Sequence, residues 1–181
     1  SYFYTFFKLK QVLIHNPSIE VIFVEYTNNQ INKTMDDWIW GENYMNYRFP
    51  TYSSFMDMSD KLILVKNNPS GYFYSVSISL KEKFLRILKK NLNYTNSIGG
   101  YLYLARDKTD SILDTLSIGT CPVKNSRISE NNLNYLSAII NICKERGKEV
   151  ILIRSPQHEK YPGYSNEVIY QNIRTTKYSD I

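Results

Sequence analysis

The run Ile19-Glu20-Val21-Ile22-Phe23-Val24-Glu25-Tyr26, followed by Thr27-Asn28-Asn29-Gln30, decides how the rest of the chain is read. It is short, rich in β-branched residues and almost continuously apolar, the pattern of a parallel strand buried on both faces. Polar residues 27–30 then form a loop at its carboxyl end. A second run of the same kind, residues 149–154 (EVILIR), leads into a loop over 155–164 that contains Pro156, Pro162 and Gly163.

Helical patterns flank both strands. Residues 2–14 set Phe3, Phe6, Phe7, Leu9, Leu13 and Ile14 near helical spacing, and Pro17 ends the pattern. Residues 129–146 form the strongest helix, with Ser129 as cap, Leu133, Leu136, Ile139, Ile140 and Cys143 on one face, and Gly147 where a left-handed cap is wanted. Residues 165–174 read as a further helix, capped by Ser165, with Glu167 in the first turn.

Between the strands the signals are weaker. Residues 32–47 read as a short helix followed by irregular structure. Residues 59–66 read as a helix capped by Asp57 or Ser59, and 67–71 (NNPSG) as a turn. Residues 79–91 read as a basic amphipathic helix, with Leu80, Phe84, Leu85, Ile87 and Leu88 set against lysines and Arg86. Gly99-Gly100 breaks the chain, and 101–104 reads as a short strand or an extended segment. This order of elements predicts an α/β fold of three layers, α/β/α, around a mostly parallel sheet. Two such strands each want neighbours on either side, so residues 1–181 are expected to be one domain, incomplete at both ends. The start at Ser1 rather than Met points the same way.

A chain of 181 residues buries roughly 70% of its unfolded surface and supports a core without metals or disulfides. With 43% hydrophobic and 22% charged residues it is neither disordered nor a coiled coil. No apolar run approaches the ~18 residues of a membrane-spanning helix. Sixteen Tyr and eighteen Asn stand against two Ala, the mark of AT-rich coding, so the Tyr content is no evidence for base or sugar stacking. The net charge of +5 is discounted likewise, and the dispersed basic residues give no nucleic-acid motif. Cys121 and Cys143 form no C-x-x-C and read as free thiols, Cys143 on a buried helix face.

In open α/β sheets, ligands bind beyond the carboxyl ends of the strands. The Thr27-Asn28-Asn29 loop offers carboxamides that can donate to a developing oxyanion, or that simply cap the next turn. His158 lies in the loop after the second strand, as a site residue or as an ordinary exposed histidine. Trp38 and Trp40 suit a sugar or acyl pocket, or the core. Asp36-Asp37 reads as charge at a helix N-terminus rather than as paired carboxylates. No phosphate-binding loop, dinucleotide fingerprint, metalloprotease motif or G-x-S-x-G is present.

The strand and loop Val21–Asn29 resemble the block of SGNH/GDSL-type hydrolases in which a buried strand runs into Gly-x-Asn-Asp. Asn28 matches that Asn, while Tyr26 replaces the Gly and Asn29 replaces the Asp. The run Lys144–Pro156 resembles the family's later helix–strand unit, and the nearest likeness is to SGNH-like proteins associated with surface polysaccharide. The resemblance implies an SGNH/flavodoxin-like fold without cofactor or metal, acting on acylated carbohydrate of the cell envelope or periplasm. Asn28 would be the oxyanion donor, and Thr27, Asn29, His158, Trp38 and Trp40 would bind substrate. The family's Gly-Asp-Ser and Asp-x-x-His blocks do not occur in these residues. The chain is therefore expected to be a fragment of a serine O-acyl esterase or acyltransferase, not competent alone. The alternative is a non-catalytic glycan- or protein-binding module of the cell envelope.

Overall fold

The computed structural model describes residues 1–88, 127–156 and 167–181. Among them lie seven α-helices and one pair of strands: α1 (Tyr2–His15), β1 (Val21–Glu25), α2 (Asp37–Trp40), α3 (Glu42–Tyr52), α4 (Met58–Asn67), α5 (Pro69–Ile87), α6 (Glu130–Glu145), β2 (Glu149–Ile153) and α7 (Glu167–Lys177). The described fold is mostly helical, with α/β character confined to the strand pair.

β1 and β2 pair in parallel, with Val21 opposite Glu149 and Glu25 opposite Ile153. Two flanking backbone bonds extend the ladder: Glu149 N–H donates to the Glu20 carbonyl at 2.9 Å, and Tyr26 N–H donates to the Ile153 carbonyl at 2.7 Å. Val24 and Val150 are buried beneath α1 and α6, with Leu13, Leu136, Ile139 and Cys143 in the same cluster. The other face differs from the expectation of full burial: Phe23 is 62% exposed, and Val21 and Ile153 are exposed as well. The helices that cover this pair among the described residues lie on one side of it.

α1 is the spine between two cores. Tyr2 and Leu13 face the strands, while Phe3, Tyr4 and Phe7 face a second cluster that includes Ile39, Met45, Phe49 and Leu64 from α2, α3 and α4. Aromatic residues at positions 3, 4, 6 and 7 supply both faces at once, which a narrow apolar stripe would not do. α1 stops at Asn16, whose backbone and side-chain N–H groups both donate to the Val12 carbonyl at 2.9 Å.

Two readings of the middle segment are corrected and a third is extended. Residues 32–47 hold no irregular stretch: a 3₁₀ turn (Lys33–Asp36) leads into α2, and α3 runs from Glu42 through Pro50 to Tyr52. Residues 67–71 do break the chain between α4 and α5, at the non-helical Asn68, and they also start α5. The Asn68 side chain accepts from Gly71 N–H at 2.9 Å and Pro69 occupies the first helical position, where its missing N–H costs nothing. The helix expected at 79–91 thus begins ten residues earlier, and its apolar residues Leu80, Phe84, Ile87 and Leu88 are exposed. α5 buries Gly71, Ser75 and Ser79 instead. Small residues four apart let α5 lie close against α3, and a Cβ on Gly71 would meet the Met45 methyl at 2.8 Å.

The ends of α4 and α6 follow the sequence. Asp57 is the cap of α4, and its N–H donates to Asp60 at 2.9 Å. Ser129 caps α6 by accepting from Asn132 N–H at 3.0 Å. Gly147 takes φ +64°, where other L-residues are strained, and Lys148 N–H closes the helix on the Cys143 carbonyl at 2.9 Å. Cys143 is a buried free thiol; Cys121, Gly99-Gly100, residues 101–104, Ser165 and His158 lie outside the described residues.

Candidate functional site

The carboxyl ends of β1 and β2 carry two loops, and α7 ties them together. Tyr26 leaves β1 and stacks on Tyr170 of α7, with ring centres 4.6 Å apart. Each hydroxyl donates to the other residue's backbone carbonyl, Tyr170 to Tyr26 at 3.0 Å and Tyr26 to Tyr170 at 3.3 Å. This reciprocal pair fixes where the loop begins.

Thr27 is buried and its Oγ1 accepts from Gln30 N–H at 3.4 Å, so it shapes the turn. Asn28 is 0% exposed, and its Nδ2 donates to Glu167 Oε2 at 2.8 Å. Asn29 is exposed, and its carbonyl accepts from Asn32 N–H at 3.0 Å. From the other loop, Arg154 donates to both Glu167 oxygens at 3.0 Å, in the forked geometry that suits guanidinium and carboxylate. Gln171 adds a bond to Oε1 at 2.8 Å, and Ser155 Oγ donates to Glu25 Oε1 at 3.0 Å. Glu167 is thus the node where both strand-end loops meet. The sequence reading gave it only the role of first-turn charge.

The Arg154 guanidinium, followed by the Gln171 and Asn28 amides, holds the Glu167 carboxyl below its usual range against partial burial. The folded state therefore favours the carboxylate. The clamp's contribution to stability is complete above the unfolded glutamate pKa of about 4.3, and is lost as pH falls through the lower folded value. A carboxyl-detected NMR titration is expected to place Glu167 below the ordinary glutamate range, and Arg154→Gln to move it back up. An unchanged value in that variant would contradict the clamp.

A second network lies behind the first loop and gives Asp36 further partners. Asp36 precedes α2 as its N-cap and Asp37 opens that helix, as read from the sequence, and Asp36 is in addition buried, 3% exposed. Its Oδ1 accepts a short hydrogen bond from Ser129 Oγ, and its Oδ2 pairs with Lys33 at 2.6 Å. The Asn132 side chain bonds Ser129 at 3.1 Å and accepts from Tyr2 N–H at 3.0 Å. Backbone bonds from Lys33 N–H to the Arg127 carbonyl and from Ser129 N–H to the Ile31 carbonyl, both 2.8 Å, lash the same segments together. Ser129 is fully buried and serves as cap and linker, not as an exposed nucleophile.

The tryptophans separate. Trp38 is partly exposed and stacks on Tyr44 with ring centres 4.5 Å apart. Arg48 lies 5.4 Å from the Trp38 ring and donates to its carbonyl at 3.0 Å. Trp40 is half-buried against the α2–α4 core, its carbonyl accepting from Asn68 Nδ2 at 2.8 Å.

Two clefts adjoin this region. A groove of about 290 Å³ runs between α1 and β1 past Ile22, Val24, Glu25 and Gln30. A larger cleft of about 550 Å³ opens between α1, α3 and α5. Ser1, Thr5 and Lys8 line both. Among the described residues no cluster of three His, Cys, Asp or Glu is placed to hold a metal ion, and no helix is long and apolar enough to cross a membrane. Comparison with protein-family models, with curated proteins and with solved structures returned no match to this chain.

Proposed function

We propose that this chain carries the oxyanion side of an SGNH-like serine O-acyl esterase or acyltransferase acting on cell-envelope carbohydrate. The observation that carries the reading is Asn28: a carboxamide on the loop beyond a parallel strand, with its plane fixed by Glu167. Fixing the plane also fixes the direction of both N–H bonds. A donor held in place before the reaction, away from bulk water, loses little reorganisation energy when negative charge develops. In the proposed reaction a serine oxygen attacks the ester carbonyl, the carbonyl electrons move onto oxygen, and Asn28 donates to that oxyanion. Collapse expels the sugar alkoxide, which takes a proton, and water or a second sugar hydroxyl then accepts the acyl group.

These 181 residues contain neither the Gly-Asp-Ser nor the Asp-x-x-His block, so the reading requires the nucleophile and base from elsewhere. The three-layer sheet of that family is likewise part of the proposal. Its test uses the whole reading frame. A fluorophosphonate probe is expected to label one serine, and acetate to be released from acetylated oligosaccharide. Asn28→Ala is expected to lower kcat about 100- to 1,000-fold with little change in KM. Hydrolysis by the 181-residue chain alone would sink the assignment of the nucleophile. Loss of stability without loss of kcat would reduce Asn28 to a tie between loop and α7.

The second reading, a non-catalytic glycan- or protein-binding module, draws on the exposed Trp38–Tyr44 stack. Titration of tryptophan emission with surface polysaccharide separates it: a saturating shift without any esterase activity favours binding alone.

A further inference from the structure

We propose that the cleft between α1, α3 and α5 is a subsite for an acidic sugar, a hexuronate unit of a saccharide. Its volume of about 550 Å³ is within the usual range of small-molecule sites. Lys8 from α1 and Arg48 from α3 both line it. Neither belongs to the ion pairs Lys33–Asp36 and Arg154–Glu167 seen among the described residues.

Arg48 is built into place. It donates to the Trp38 carbonyl at 3.0 Å, and its guanidinium carbon lies 5.5, 5.4 and 5.7 Å from the ring centres of Tyr4, Trp38 and Tyr44. Ring stacking and one hydrogen bond hold the planar fork and leave most of its five donors for a carboxylate. The rest of the lining suits a sugar better than a bare anion. Tyr47 presents a ring that is 77% exposed, a flat surface for the C–H face of a pyranose. Asn46, whose Oδ1 accepts from Ser75 Oγ at 2.8 Å, is a fixed carboxamide in the same lining. An inorganic anion gains nothing from the Tyr47 ring.

The cleft also leads somewhere. Ser1, Thr5 and Lys8 continue into the groove along β1, which reaches Glu25 and Gln30 on either side of Thr27-Asn28-Asn29. A saccharide anchored by its carboxylate at Lys8 and Arg48 is thereby directed toward the strand-end loop. That link to acyl chemistry rests on the proposed function; the binding itself does not.

The test is binding to the 181-residue chain by calorimetry and by ¹H–¹⁵N spectra. The probes are methyl glucuronide, methyl glucoside and inorganic phosphate. The glucuronide is expected to bind saturably and at least about tenfold tighter than the glucoside, the size of one charge-assisted contact. Lys8 is exposed, and Lys8→Gln is expected to weaken the glucuronide about tenfold with unchanged melting. Arg48→Lys keeps the charge but loses the fork, and is expected to weaken it comparably. Equal binding of glucuronide and glucoside overturns the proposal, as does phosphate binding as tightly as the glucuronide, or no saturation by the glucuronide. Uronate binding in a protein whose whole reading frame hydrolyses no ester would keep the cleft and discard the esterase. Esterase activity without uronate binding would do the reverse.

Discussion

Asp36→Ala is expected to lower the unfolding free energy by about 3 kcal/mol, the cost of leaving buried partners of a charged group unpaired. Asp36 receives the Ser129 hydroxyl and pairs with Lys33, and Ser129 in turn caps α6 and holds Asn132. Removing the carboxylate strands the buried Ser129 hydroxyl and leaves the loop after β1 tied to the start of α6 by backbone bonds alone. Lys33 is half exposed, so its own loss is small and adds little. For a chain of this size the change corresponds to a fall in Tm of about 6–12 °C. Asp36→Asn keeps an acceptor for Ser129 and is expected to lose clearly less. Urea melts of the two variants decide the matter: a shift below about 0.5 kcal/mol for Asp36→Ala, the size of an ordinary surface change, would show that the network contributes nothing.

Phe3→Ala is expected to cost still more, about 3–5 kcal/mol. Phe3 is fully buried, and its ring meets Tyr4, Phe7 and Tyr135 edge-on at 4.9, 5.3 and 4.7 Å. Truncation removes the transfer energy of a whole ring and leaves a void that three aromatic neighbours cannot close without leaving their rotamers. Because α1 serves both cores, the void opens where the strand cluster and the helical cluster share a wall. Phe3→Leu keeps most of the volume and is expected to cost under about 1.5 kcal/mol. A thermal melt in which both variants fall equally would show that volume at this position is not what matters.

The parts of this molecule that were legible in its sequence are those whose signal is local. β1 and β2 announce themselves as apolar runs. The cap and face of α6 sit within one window, from Ser129 to Gly147. The start of α5 was not legible, because Asn68-Pro69 opens a helix with the letters that also make a turn. Its packed face escaped too: Gly71, Ser75 and Ser79 carry no hydrophobic period, so the apolar residues drew attention to the face that is exposed. At the candidate site, the position of Asn28 beyond a strand could be read, but its partner could not. Glu167 lies 139 residues away, and the Asp36–Ser129 contact spans 93. No spacing rule reaches that far; only the parallel pairing that brings the two ends of the chain together makes those partners neighbours.

That pairing also orders events in time. Val21–Glu25 is made well before its partner Glu149–Ile153. At translation rates of about 5–20 residues per second, the first strand waits on the order of ten seconds for the second. Parallel pairing across so long a span also carries a high loop-closure cost, which slows it after release from the ribosome. During that interval Val-Ile-Phe-Val is an apolar edge with unmet backbone groups, the kind of segment that recruits other chains. α1, made just before it, is the cover at hand: its Leu13 belongs to the cluster that receives Val24, and no later residue is needed for that contact. The aromatic helix that precedes the strand is thereby placed to escort it, sheltering one face until the partner strand is made.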